Sequence, residues 1–207
     1  MGGLGCLSLV GCPWGYVLGG GAQYVPAEDR WRPIGGAVDV AFPAFAWTGD
    51  RLLLFGEGGG SQGFSWDPVA LSGAPLGAEG RPAPPNSAGA TFTGEEFLVW
   101  GGRGTFAPFA HAGYRPATGR WRSLSTANQP PPGAMPGVAW TGTRMLVWGG
   151  GTRTGGLYDP VADAWETTAL EGAPSARSGH SAAWTGSELI VWGGDAAGTG
   201  ARYRPPR

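Results

Sequence analysis

One motif returns four times along the chain at a spacing of roughly 45 residues. The copies are AFAWTGDRLLLFGEGG (Ala44–Gly59), ATFTGEEFLVWGG (Ala90–Gly102), VAWTGTRMLVWGG (Val138–Gly150) and AAWTGSELIVWGG (Ala182–Gly194). The aromatic before Thr-Gly stands at Trp47, Phe92, Trp140 and Trp184, and the aromatic before the glycines at Phe55, Trp100, Trp148 and Trp192. Both series advance by 45, 48 and 44 residues. A third marker is an aromatic two residues ahead of proline, at Tyr24, Trp66, Tyr114, Tyr158 and Tyr203. A fourth is a tryptophan seven residues past that position, at Trp31, Trp121 and Trp165. Ten of the 11 tryptophans occupy marker positions, so the periodicity belongs to the fold and not to chance.

Each unit reads as β-structure. Thr-Gly between two apolar stretches is a tight-turn signal, the glycine supplying a positive φ. Leu52–Phe55, Phe97–Trp100, Met145–Trp148 and Leu189–Trp192 are unbroken apolar runs. A strand with no alternation must be covered on both faces, so the sheets are expected to stack face to face. On the markers the chain divides into 1–32 (strands two to four of a unit), 33–81, 82–132, 133–175 and 176–207 (strands one to three). In the first segment Leu7–Gly11 takes the place of the apolar strand. In 33–81 Glu57 replaces the second glycine, Trp66 replaces tyrosine and Gly73 replaces the tryptophan, which leaves a fourth strand there doubtful. Eighteen strands result, which is not a whole number of four-stranded units.

Gly 41 and Pro 19 would suggest low complexity without a pattern, but here the glycines are periodic. The formal charge is -1, with no basic block or stripe, which argues against a nucleic-acid surface. No apolar run approaches the ~20 residues of a membrane span. Cys6 and Cys12 provide neither a disulfide framework nor zinc-type spacing. Leu9-Val10-Gly11-Cys12 is similar to a lipobox and is the one pointer to a compartment, toward secretion or the cell envelope. Met1–Gly11 lacks the cationic start and long apolar core of an export signal, so a strand with Cys12 in place of a glycine is preferred.

Four apolar residues, a double glycine and then spaced Tyr and Trp resemble the kelch repeat. The resemblance runs over residues 6–205. Its fullest copies are Trp100, Gly101 and Gly102 with Tyr114 and Trp121, and Trp148, Gly149 and Gly150 with Tyr158 and Trp165. Trp192, Gly193 and Gly194 with Tyr203 lack only the last tryptophan. It implies an all-β, kelch-type β-propeller of four-stranded antiparallel blades. With four to five blades' worth of chain, the ring is expected to be incomplete, with open edges able to self-associate. The rings at the marker positions are expected to fill the space between blades.

The resemblance also implies binding through loops at one end of the ring, to a protein or a carbohydrate, with no cofactor and no metal. The candidate contacts are Arg103, Phe106, Phe109 and His111 in the longest loop, Arg153 in the next and Asp195 in the last. Phe106 and Phe109 could equally fold back over a blade edge. Arg177 and His180 fit the segment entering a blade, with a packing role. Glu95, Glu96, Asp50 and Arg51 are expected in solvated turns, and Asp67 and Asp159 as turn formers. Kelch-type enzymes supply the alternatives. A copper-radical oxidase needs a Cys-modified Tyr and several His, which His111 and His180 cannot supply. A sugar epimerase would draw on Glu57, Arg103, Arg153 and Asp195, but no motif selects them. A fragment of a longer propeller protein, without a role of its own, is the remaining alternative.

Overall fold

The computed structural model describes residues 21–34, 40–57, 62–103 and 110–206. The strand expected at Leu7–Gly11, the lipobox-like residues, both cysteines and Phe106 and Phe109 lie outside these ranges. Among the described residues the chain is all β, apart from a single 3-10 turn at Pro26–Glu28. No helix of theirs is long and apolar enough to cross a membrane.

The strands form five antiparallel sheets, each built from neighbours in sequence. The first is a hairpin of β1 (Gly21–Val25) and β2 (Arg30–Ile34). Three four-stranded sheets follow: β3 (Ala41–Trp47), β4 (Leu52–Glu57), β5 (Gly63–Asp67) and β6 (Ser72–Pro75); β7 (Asn86–Phe92), β8 (Phe97–Arg103), β9 (Ala110–Arg115) and β10 (Arg120–Ser123); β11 (Pro136–Trp140), β12 (Met145–Gly149), β13 (Gly155–Asp159) and β14 (Ala164–Thr167). The last sheet has three strands, β15 (Ser181–Trp184), β16 (Leu189–Trp192) and β17 (Gly200–Tyr203).

β6 corrects the doubt about a fourth strand beside Gly73. Gly73 pairs with Trp66 in the register that Trp121 and Trp165 take against their tyrosines. The Phe64 ring covers Gly73, its Cε1 lying 2.1 Å from where a Cβ would stand. An aromatic from the neighbouring strand thus fills the space that a tryptophan fills elsewhere.

The sheets stack through three shared cores. Leu53 and Phe55 of β4 meet Phe97, Val99, Tyr114 and Trp121 of the next sheet. Leu98 and Trp100 of β8 meet Met145, Val147, Tyr158 and Trp165. Leu146, Trp148 and Leu157 meet Leu189 and Val191. The second strands β4, β8 and β12 are therefore buried on both faces, as their unbroken apolar runs require; Phe97–Trp100 are no more than 1% exposed. The first strands lie against one another in order, β3 on β7, β7 on β11 and β11 on β15. Small residues permit that approach: a Cβ on Gly89 would lie 2.3 Å from Val138 Cγ2, and one on Gly137 would lie 2.7 Å from Ala182 Cβ.

A polar lock repeats across the sheet boundaries. The Trp121 indole N–H donates to Gly77 O and the Trp165 N–H to Ser125 O, both at 2.8 Å. Gly77 N–H donates to the Tyr114 hydroxyl at 3.3 Å, and a backbone hydrogen bond joins Ala169 to the Tyr203 hydroxyl. Gly77, Ser125 and Ala169 are one repeat position, the point where the chain leaves a sheet for the next. The Tyr114–Trp121 and Tyr158–Trp165 pairs therefore bind the previous sheet by ring packing and by a buried indole whose polar edge is satisfied.

The last sheet departs from expectation. Trp192 holds the same marker position as Trp100 and Trp148, yet it is 62% exposed against 1% and 5%. β16 alternates buried and exposed residues, because only its face toward β11–β14 is covered. Trp148→Ala is accordingly expected to cost about 3–5 kcal/mol, while Trp192→Ala leaves the denaturation midpoint almost unchanged. Urea unfolding of the two variants checks this contrast between equivalent residues.

Candidate binding surfaces

One end of the sheets carries four near-identical turns. In each, a threonine N–H donates to the carbonyl three residues on: Thr48 to Arg51, Thr93 to Glu96, Thr141 to Arg144 and Thr185 to Glu188, at 2.9–3.0 Å. The threonine hydroxyl accepts the returning N–H. The fourth residue of the turn alternates in charge from sheet to sheet, and each finds a partner. Arg51 pairs with Asp67 at 3.1 Å, Glu96 with Arg122 at 2.7 Å, Arg144 with Glu166 at 2.6 Å and Glu188 with Arg204 at 3.0 Å.

Glu96 corrects the expectation of a solvated turn. It is only 7% exposed and takes both Arg115 and Arg122. Arg122 reaches on to the Tyr158 hydroxyl of the next sheet at 3.1 Å, and Tyr158 donates to Asp163. Burial, then the Asp163 bond, pushes the Tyr158 phenol up to about 12. Asp67 and Asp159 cap turns, each accepting two backbone N–H groups.

The other end carries the loops chosen from sequence. Arg103 closes β8, with its backbone opposite Asn86. Phe106 and Phe109 fall outside the described residues. His111 sits within β9 rather than in a loop, opposite Trp100, with ring centroids 6.0 Å apart. Burial lowers its pKa. Arg153 is exposed and donates to Leu170 O at 3.1 Å. Glu57 accepts from Asn86 Nδ2 at 3.1 Å.

Asp195 is drawn into a buried clamp. Its partner is Arg177, whose side chain is 2% exposed and lies 3.0 Å away. Arg177 Nη1 also donates to Gly193 O and Thr199 O, both at 2.9 Å, and its Nη2 to Thr199 Oγ1. Its carbonyl accepts Gly151 N–H from the preceding loop. One guanidinium thereby fixes the 193–199 loop, while its backbone holds the neighbouring loop. The Asp195 pKa is lowered, first by its bonds from Thr199 and then by Arg177.

His180 completes this layer. It is 8% exposed and packs edge-on to Trp148 at 5.2 Å, and neither ring nitrogen has a hydrogen-bond partner. Gly149 leaves room for it: a Cβ there would lie 2.6 Å from His180 Cε1. Burial, then the Arg177 charge, lowers the His180 pKa.

A cleft of about 590 Å³ lies at the turn end between the last two sheets. Thr141, Arg144, Leu157, Trp184, Ser187 and Arg204 line it. Trp184 is half-buried, and Arg144 and Arg204 are oriented by Glu166 and Glu188. An indole with hydroxyls and cationic donors around it can stack on a flat apolar group and hydrogen-bond its rim. No single stretch of sequence marks this cleft, because it forms between two sheets. The alternating Arg and Glu at the turn ends is its one trace in the sequence. Among the described residues no three His, Cys, Asp or Glu side chains are grouped to hold a metal ion. Neither models of known protein families nor the curated proteins match this chain.

Arg177→Met should cost about 1–3 kcal/mol for each carbonyl left without a donor. Amide exchange should rise in 193–199 and remain unchanged in β7–β10. The histidines set a pH dependence. Both have folded pKa values below the ordinary 6.5, so the unfolded chain takes up protons first as pH falls below 6.5. Stability is therefore full above 6.5 and declines on acidification. Replacing His180 with Gln should flatten that decline in a series of thermal melts between about pH 7.5 and 5.5.

Proposed function

We propose that the stacked sheets are blades of a kelch-type β-propeller forming an open arc, and that the chain is a non-catalytic recognition module. The repeat markers, the ordered contact of first strands and the face-to-face cores support the blade assignment. They are what a fan of meanders around a common axis needs, since each sheet is too apolar to stand alone. The described residues supply three four-stranded sheets between a two-stranded and a three-stranded one, all antiparallel.

The ligand class favoured is a carbohydrate, and the Trp184 cleft is the observation that carries it. A sugar ring offers an apolar face to the indole and hydroxyls to Thr141, Ser187 and the two guanidinium groups. The loop end, with Arg153 exposed, is the alternative surface, suited to a protein partner. Its Asp195 is taken up by Arg177.

Calorimetric titration with neutral and acidic oligosaccharides tests the proposal. Trp184→Ala should weaken binding at least about tenfold, equivalent to 1.4 kcal/mol, and Arg153→Ala at the opposite end should not. Loss of binding with Arg153→Ala alone would move the site to the loops. No heat with any sugar would overturn the carbohydrate assignment.

A further inference from the structure

His180 stands where the chain enters β15, and backbone encloses its ring. A Cβ on Gly137 of β11 would lie 2.6 Å from His180 Nε2, one on Gly149 at the end of β12 would lie 2.6 Å from its Cε1, and one on Gly194 would lie 2.9 Å from its Cβ. The cradle exists because three residues lack side chains. Both ring nitrogens are buried in it, and neither has a hydrogen-bond partner. An imidazolium carries two N–H donors, so the protonated ring would hold a charge there with nothing to accept from it.

The surroundings offer that charge no counterion. Arg177 acts on the ring and repels a second cation. Neither β11, Pro136–Trp140, nor β12, Met145–Gly149, brings a titratable side chain. In the loop after β12, Arg153 is turned to Leu170 O. In the loop after β16, Asp195 is taken up by Arg177 at 3.0 Å and by Thr199. The stretch that carries His180 also carries the loop clamp. Arg177 stands three residues earlier, with its guanidinium on Gly193 O and Thr199 O. Its own carbonyl accepts Gly151 N–H at 2.9 Å, and Gly179, at a φ of 66 degrees, donates to Met135 O at 3.0 Å. Residues 177–180 thus form one strap, with a ring in the cradle at one end and a guanidinium in the 193–199 loop at the other. Three walls of the cradle are backbone, so the ring reaches water by withdrawal of the strap, which draws the guanidinium with it.

We propose that residues 177–180 are an acid-operated latch: a proton taken up by His180 expels its ring from the glycine cradle, withdraws Arg177 and frees the 193–199 loop, which makes Asp195 and the loop carbonyls available at this end of the sheets. The sign agrees. The enclosed ring has a pKa below the ordinary 6.5, so the open latch binds the proton more tightly than the closed one. Closure is fully favoured above 6.5 and weakens as pH falls. One proton can shift the opening equilibrium by about tenfold at most for each pH unit below 6.5. Asp195, held below its ordinary 3.8, does not titrate in this window. The latch lies at the opposite end from the Trp184 cleft and rests on no ligand there.

Hydrogen exchange of the full chain at about pH 7.5 and 5.5, corrected for the intrinsic chemical rates, tests the latch. At the lower pH the protection of 193–199, Gly151 and Gly179 should fall several-fold, to a limit of about tenfold, while β7–β10 keep theirs. His180→Gln should remove the difference between the two pH values, whatever its absolute protection, and His111→Gln should retain it. The chain has two histidines, so in His111→Gln the one remaining imidazole signal in a proton NMR titration is that of His180. Its midpoint should coincide with that of loop opening, a comparison that holds even where His180→Gln fails to fold. Protection of 193–199 that ignores pH, a fall that persists in His180→Gln, a fall of equal size in β7–β10, or an imidazole that titrates apart from the loop would each overturn the proposal.

Discussion

The structure depends on a tryptophan that belongs to one sheet and is buried against the sheet before it. Trp121 and Trp165 stack on their own tyrosines, fill the space behind the preceding sheet and donate their N–H to its exit carbonyl. Each such ring does two jobs at once. It removes a large apolar area from water, and it ties a backbone acceptor that would otherwise be stranded at a buried crossing. A meander alone could do neither, because its faces are apolar on both sides.

The lock also explains how the array tolerates departures. Where Gly73 replaces the tryptophan, Phe64 of the adjacent strand rolls over it, and the sheet keeps its fourth strand. Where no sheet among the described residues covers the outer face of β16, Trp192 is exposed. Packing is thus conserved by volume at an interior boundary and lost at a terminal one.

Charge is organised at the two ends on a different principle. At the turn end, Arg51, Glu96, Arg144 and Glu188 alternate along the array, each held by an ion pair. At the loop end a single buried Arg177 gathers three carbonyls, two hydroxyls and Asp195, and so fixes the loop that the sequence offered as a contact surface. The turn end therefore retains oriented polar groups around an open cleft, while part of the loop end is consumed in holding itself together.

The sequence by itself determined the strands, the Thr-Gly turns and which runs are covered on both faces. These follow from local rules: a positive φ that needs glycine at Gly94 or Gly142, and unbroken apolar strands at Phe97–Trp100 and Met145–Trp148. Only the tertiary structure decided the fates of residues that look alike in the chain. Trp148 and Trp192 share a motif and differ in burial, because one has a sheet on each side and the other has one on a single side. Glu96 reads as a turn residue but is buried by Arg115 and Arg122, and His111 reads as a loop residue but lies in β9. The Trp184 cleft could not be read, since its walls come from separate sheets. Neighbours distant in sequence set burial and charge pairing, and a repeat names positions without naming what stands beyond the last one.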